Sequence, residues 1–482
     1  MKTIKRNINT KLIKDLFMKS FLIISFISIL GLIATKAQSN TFFYKLNGFK
    51  GDKIILYSTY GEQAKPVDTA YRQSTGSYVF FNTNKLVAGI YTVYFNDSLF
   101  TEVIINGEDI VMLADARNLL ESMKVIKSVE NQILFGYWHY AMMVKDSTAI
   151  YEYKIRKIEL KTYDSNHPDI LKLKARIEVL NNGIDSYIKY QAQKHPNRFA
   201  PKLLKSYIIP DMAKYNISHS QKKYTNEELF LREHFFDNID FNDERFLNTK
   251  VIYTVINDYI KNFGRPASTT NYNLVIDKVL STAVVNDMIF EYCLDLFFRT
   301  FESSVYESVM VHLIDDYYIP HYALSGTNTT YYAHLSERIK ALKPGKKAPN
   351  IILKDTAGVE HNLYQSNAKA KLIVFYSSDC PHCEEALPGL LEIFTMYQEQ
   401  GVVAFGVAID DDKDLWKHEI RKFRMNWTSV SDLKGLMSPY MDLYNINATP
   451  YIMILDKDNI IMKKPTDMNE IHATFVQLLN KI

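Results

Sequence analysis

Cysteine is scarce in this chain, and its scarcity excludes several kinds of site. The 482 residues include three cysteines, at positions 293, 380 and 383. A zinc site needs four ligands, and the lone Cys293 is far in sequence from the other two, so no metal site is expected. A structural disulfide between Cys380 and Cys383 would close too short a loop to remove much chain entropy. This pair is therefore expected to be reactive.

Low-complexity tracts and an excess of one charge are also lacking. The composition is 47% apolar and 23% charged, which is typical of a globular protein, and the length predicts several domains. The formal net charge is +3, but residues 1–37 carry seven Lys and Arg against one Asp, so the remainder carries −3. Without clustered positive charge, nucleic acid is not expected as a partner.

A long membrane-spanning run is absent from the N-terminal region. The apolar run at residues 21–34 is shorter than the roughly 20 residues that a membrane helix needs. It follows Lys19, and small residues precede a cleavage position after Ala37. We therefore predict that residues 1–37 are a signal peptide and that the protein is periplasmic or secreted. An uncleaved membrane anchor and a true start at Met18 remain open.

Residues 40–115 are rich in β-branched and aromatic segments separated by glycines, which predicts an antiparallel β-sandwich-like module with a binding or structural role. Residues 117–342 then follow helical spacing and predict an all-α domain. Within it, residues 129–163 and 169–194 predict an antiparallel helical hairpin. Cys293 lies in an apolar helical segment and is expected to be a buried small side chain.

The segment 342–349 contains two prolines, a glycine and three lysines, which predicts a domain boundary. Beyond it, residues 343–482 alternate between strands and helices. Strands are predicted at 372–376 and 402–409, a helix at 381–400, and a β-hairpin and a helix at the end. This order predicts an α/β domain whose mixed sheet is covered on both faces.

Chemistry is concentrated at Cys380-Pro381-His382-Cys383, where a buried strand gives way to an amphipathic helix. Cys380 is expected at the N-cap, where free backbone N–H groups and the helix dipole favour a thiolate, so it would be the attacking sulfur. Pro381 suits the first helical position. Cys383, one turn further on, would resolve the mixed disulfide. His382 adds a neighbouring positive charge that would stabilise the reduced form.

The C-terminal domain resembles the thioredoxin fold, and more narrowly the secreted thiol–disulfide oxidoreductases of the TlpA/ResA type. The resemblance rests on Cys380-Pro381-His382-Cys383, Pro388, Ala448-Thr449-Pro450, and the prolines of the linker. It implies that Pro450 follows a cis peptide bond and faces the dithiol, with the Thr449 backbone free to pair with an extended substrate. The N-terminal regions resemble those of multidomain bacterial thioredoxin-like proteins, which adds no chemistry.

Two departures from the family pattern leave the proton acceptor open. The buried acid of thioredoxin is replaced by Val374, and the glutamate that the TlpA/ResA group often carries after the second cysteine is replaced by Ala386. Glu384 and Glu385 are the candidate substitutes. A peroxiredoxin is disfavoured because Ile373 replaces the proline of its motif. The acidic loops at 410–412 and 456–459 lack calcium-loop spacing and are interpreted as turns.

Two functions compete. The first is a secreted thiol–disulfide oxidoreductase that acts on protein or small-molecule thiols and disulfides together with a redox partner. It needs no cofactor beyond the disulfide between Cys380 and Cys383. The second is a binding or assembly protein whose dithiol has a regulatory role. The complete set of Cys380, Cys383 and Pro450 favours the enzyme.

Overall fold

The computed structural model describes residues 40–219, 221–302 and 306–480. The predicted signal peptide lies outside these ranges. The described residues form two compact units that divide between Asn257 and Asp258, a position within the region 117–342. Among the helices within the described ranges, none is both long and apolar enough to cross a membrane.

The first unit begins with two four-stranded sheets of order β4-β1-β7-β8 and β3-β2-β5-β6. Tyr44 and Phe95 join the two sheets, with ring centroids 5.1 Å apart. Neighbouring strands are antiparallel, as predicted, except that β1 and β7 run parallel. The long connection between β1 and β7 permits this, since parallel neighbours cannot be joined by a tight hairpin. The strands are β1 Thr41–Asn47, β2 Lys53–Tyr60, β3 Gln63–Tyr71, β4 Ser77–Phe81, β5 Gly89–Asn96, β6 Leu99–Ile105, β7 Ile110–Asp115 and β8 Lys124–Lys127.

Helices follow the sheets. The predicted helical hairpin is confirmed by α1 and α2, which pack antiparallel: the Tyr187 hydroxyl donates to the Ile133 carbonyl, and Gly183 lies against Tyr140. A Cβ atom at Gly183 would lie 2.1 Å from the Tyr140 hydroxyl oxygen, and one at Gly136 would lie 2.4 Å from the Tyr187 hydroxyl oxygen, so either tyrosine would have to shift. The helices up to the boundary between the two units, which falls within the last of them, are α1 Val129–Thr162, α2 Pro168–Lys194, α3 Phe199–Lys205, α4 Met212–Ser218, α5 Glu227–His234 and α6 Val251–Phe263.

The second unit combines helices with the C-terminal α/β region. Cys293 is fully buried in α8, as predicted. A π-helical segment, Leu313–Tyr318, links α9 to α10. The helices before the α/β region are α7 Thr269–Ala283, α8 Asp287–Phe301, α9 Glu307–His312, α10 Ile319–Leu324 and α11 Thr330–Ala341.

The α/β region is built on a five-stranded sheet of order β13-β12-β11-β14-β15. The central strand β11 is parallel to β12 and antiparallel to β14, so the predicted mixed sheet is confirmed. Every residue of β11 is buried, with Leu372 and Val374 in one apolar core and Ile373 and Phe375 in another. The elements are β9 Ile352–Lys354, β10 Glu360–Asn362, β11 Ala370–Tyr376, α12 Pro381–Gln398, β12 Val402–Ala408, α13 Lys413–Lys422, β13 Thr428–Val430, α14 Pro439–Leu443, β14 Tyr451–Asp456, β15 Ile461–Lys463 and α15 Met468–Leu479.

Candidate active site

Three loops meet at one edge of the five-stranded sheet because of the strand register. Tyr376, at the end of β11, pairs with Ala408 at the end of the parallel strand β12. Phe375 pairs with Tyr451, the first residue of the antiparallel strand β14. The residues after β11, after β12 and before β14 therefore lie side by side.

Cys380 occupies the N-cap of α12 and Pro381 its first turn, as predicted. The carbonyl of Cys380 accepts hydrogen bonds from the N–H groups of Cys383 at 3.0 Å and Glu384 at 3.1 Å. Cys383 is fully buried one turn along the helix, whereas Cys380 is partly exposed. All three cysteines are free thiols.

The pKa values of the two cysteines are shifted in opposite directions. Burial acts to raise the pKa of Cys380. Hydrogen bonds from Thr449, from Cys383 and from the backbone N–H groups of Cys383 and His382 outweigh it, so the pKa lies below its usual value. Burial raises the pKa of Cys383 to about 12, although Thr449 and the backbone N–H of Ser377 act in the opposite direction. At neutral pH Cys380 is therefore the better nucleophile.

The peptide bond between Thr449 and Pro450 is cis, as the family resemblance implied. The Sγ of Cys380 lies 3.4 Å from the carbonyl oxygen of Thr449, to which the thiol can donate. That contact favours the protonated sulfur, whereas the Thr449 side chain favours the thiolate. Thr449 and Pro450 are both partly exposed, so the segment before β14 is open to a substrate beside the dithiol.

The two candidate proton acceptors, Glu384 and Glu385, are both solvent-exposed on the first turns of α12. Glu384 is oriented toward Lys422, whose Nζ donates to its carboxylate at 2.5 Å. The His382 side chain is also exposed, and the group of this residue that lowers the pKa of Cys380 is its backbone N–H.

Asp410 is the residue of this edge that sequence reasoning missed. Interpreted as part of an acidic turn, it is instead 5% exposed, while Asp411 and Asp412 remain exposed. Its carboxylate accepts from the Ser378 N–H at 2.9 Å and from the Ser378 hydroxyl at 2.8 Å. The signal that could have found it is its position just after a strand parallel to the one that leads to the dithiol.

Across residues 40–219, 221–302 and 306–480, no three His, Cys, Asp or Glu side chains come together as they would around a metal ion.

The C-terminal region matches a known protein family, and part of the chain is similar to several known proteins. Residues 344–464 match the AhpC/TSA family. The thiol-disulfide oxidoreductase ResA of Geobacillus thermodenitrificans is 26% identical over 140 residues, which are 29% of this chain and 79% of that protein. ResA of Geobacillus kaustophilus is 25% identical over 135 residues, 28% of this chain and 76% of the relative. A thioredoxin-like protein from Bacteroides caccae, known from a crystal structure, is 21% identical in sequence. The match has a TM-score of 0.42 and covers 52% of this chain and 92% of the Bacteroides caccae chain. The predicted thioredoxin-like fold of the C-terminal region is confirmed.

Proposed function

We propose that this protein is an exported thiol–disulfide oxidoreductase that exchanges disulfides through Cys380 and Cys383. The observation that carries the proposal is the unequal environment of the two sulfurs: one is partly exposed at a helix N-cap with a lowered pKa, and the other is buried with a raised pKa. The ResA relatives, which are similar to this chain over 140 and 135 residues, are named thiol-disulfide oxidoreductases, and this supports an oxidoreductase activity.

In the reductive direction, the Cys380 thiolate attacks one sulfur of a substrate disulfide. That S–S bond breaks, a new bond joins Cys380 to the substrate, and the first substrate sulfur leaves as a thiolate. Cys383 then passes its proton to the substrate thiolate that left first and attacks the Cys380 sulfur, which breaks the mixed disulfide and releases the second substrate sulfur as a thiolate. The substrate gains two electrons and the protein keeps the disulfide. The reverse sequence oxidises a dithiol substrate, and a separate redox partner must restore the starting state.

Substrate recognition is proposed to use the Thr449-Pro450 segment. An extended polypeptide that pairs with the main chain beside Cys380 would be bound with little regard to its sequence.

The dithiol of Cys380 and Cys383 carries both electrons of the exchange, so the reaction needs no bound cofactor. The location is proposed to be periplasmic or secreted, and protein sequencing of mature material should then find Gln38 at the N-terminus.

The decisive experiment is catalytic turnover of a model disulfide, with dithiothreitol as the electron donor. We expect the wild-type protein to turn over many equivalents and Cys380→Ser to lose this activity. Cys293→Ala is the matched control, because this cysteine is buried in α8, and it should retain activity. A wild-type protein that exchanges only once, with no turnover, would favour a regulatory dithiol in a binding protein. An equilibrium titration against glutathione would then fix the reduction potential and the favoured direction.

A further inference from the structure

Asp410 is a buried acid that the exchange mechanism above does not use. It lies two residues beyond the end of β12, at the edge where the 377–380 turn and Thr449 meet. A carboxylate that is 5% exposed must find hydrogen-bond donors, because burying an unsatisfied charge is costly.

Its donors all come from the turn that leads into the dithiol. One oxygen accepts from the Ser378 N–H at 2.9 Å and the other from the Ser378 hydroxyl at 2.8 Å. The Ser377 hydroxyl lies 3.3 Å from the first oxygen. Two atoms of a single residue are thus held by one carboxylate, which restrains the orientation of the backbone as well as its position.

The same turn touches both cysteines. The Ser377 carbonyl accepts from the Cys380 N–H at 3.3 Å, which closes the turn at the helix N-cap. Burial raises the pKa of Cys383, and the Ser377 backbone N–H acts in the opposite direction, favouring the thiolate. A rotation of the Ser377 and Ser378 peptides would therefore alter the N-cap hydrogen bond of Cys380 and the surroundings of the Cys383 sulfur.

We propose that Asp410 is a positioning residue for the dithiol, holding the 377–380 turn so that its backbone groups stay directed at Cys380 and Cys383. The inference rests on the proposed exchange function and deepens it. Asp410 acts through Ser377 and Ser378, by hydrogen bonds rather than by its charge.

Several charged groups surround Asp410. The alternative to exclude is therefore that Asp410 affects the dithiol through its charge and not through its hydrogen bonds. The Asp379 carboxylate faces it across the turn and accepts from the Ser377 hydroxyl at 2.5 Å. Burial, together with that neighbouring charge, raises the pKa of Asp410. Asp411 and Asp412 follow it in sequence, and Asp412 caps α13 through the N–H groups of Asp414 and Leu415.

The test compares Asp410→Ala with Asp410→Asn in the full-length protein. The asparagine keeps an oxygen that can accept from the Ser378 N–H but carries no charge, whereas the alanine removes both. Asp411→Asn, on the exposed neighbour, is the matched control. The measurements are the reduction potential in a glutathione buffer and the Cys380 pKa, followed by thiolate absorbance.

We expect Asp410→Ala to raise the Cys380 pKa and to make the couple roughly tenfold more reducing in its equilibrium constant, which corresponds to about 30 mV. Asp410→Asn should leave both quantities unchanged or shift them in the opposite direction, because losing a nearby negative charge favours the thiolate. Asp411→Asn should change neither.

Wild-type values for Asp410→Ala, whatever its thermal stability, would overturn the proposal. A lowered Cys380 pKa in both the alanine and the asparagine variants would assign the effect to the lost charge and would overturn the proposal as well. If Asp410→Ala does not fold, Ser378→Ala removes the hydroxyl contact alone and should give a smaller shift of the same sign; no shift would refute the inference. Both readouts are equilibrium properties of the dithiol, so they remain decisive even if the protein shows no turnover and the proposed function fails.

Discussion

Cys380 and Thr449 are 69 positions apart in the chain, yet the sulfur of one lies 3.4 Å from the carbonyl oxygen of the other. The antiparallel pairing of β11 with β14 produces this contact, since Phe375 and Tyr451 are partners in the register. A substrate that pairs with the Thr449 main chain would therefore be placed directly beside the reactive sulfur.

The order of attack is the first prediction. Cys383→Ser should accumulate mixed disulfides through Cys380, because the partly exposed sulfur is reached first and nothing remains to resolve the intermediate. Cys380→Ser should accumulate few, since Cys383 is buried and its pKa is raised. Mass spectrometry of trapped complexes measures both. Equal trapping by the two variants would contradict the assignment.

Alkylation should depend on pH in a way that reflects the lowered Cys380 pKa. Only the thiolate reacts, so a pKa below the usual value means that the rate for Cys380 in the reduced protein reaches its plateau at a lower pH than for a free thiol. Cys383, with a pKa of about 12, should stay unreactive until strongly alkaline pH. The measurement is the iodoacetamide rate against pH, with Cys383→Ser isolating Cys380. A profile like that of free cysteine would count against the N-cap argument.

His382→Ala should have a modest effect. The imidazole is exposed, so its charge is screened, and the variant retains the backbone N–H that contributes to the low Cys380 pKa. We expect the reduction potential to fall by no more than about 30 mV, equivalent to one unit in the Cys380 pKa. The glutathione equilibrium measures it. A larger fall would show that the imidazole approaches the sulfur in solution.

Glu384→Gln and Glu385→Gln should each change the rate of disulfide exchange by less than about twofold, as expected for exposed charges. Glu384 is engaged with Lys422, so Lys422→Met is a useful companion variant that breaks the same pair from the other side. Steady-state turnover across pH is the measurement. If either glutamine variant loses most of its activity at neutral pH, that glutamate is the proton acceptor after all.

Glu307 of α9 and Lys464, just after β15, form an ion pair with an N–O distance of 2.5 Å, and both side chains are mostly buried. The Lys464 Nζ also lies 5.7 Å from the ring centroid of Tyr451, the residue after Pro450. Glu307→Gln should destabilise the protein by about 1–3 kcal/mol, because it leaves a poorly solvated ammonium group with a weaker partner. Denaturant unfolding measures this. Lys457→Met, which breaks an exposed pair with Asp458, is the control and should have little effect.

The sequence by itself determined which residues carry the chemistry and the strand and helix between which they lie. The positions of Cys380, Pro381 and Cys383 at the start of α12 follow from local rules, namely an apolar strand, an N-cap and a proline in the first turn, and the structure has them there. The helical hairpin and the order of strands in the C-terminal domain follow from periodicity in the same way.

Only the tertiary structure decided which distant residues meet the dithiol. Asp410 and Asp411 are identical in type and adjacent in sequence, yet one is buried against Ser378 and the other is exposed. Glu384 suits a proton acceptor by its position in sequence, but it pairs with Lys422 from α13. The parallel pairing of β1 with β7 could not be predicted from the sequence for the same reason. Strand register and helix packing set these contacts through burial across the whole core, which no local stretch of sequence encodes.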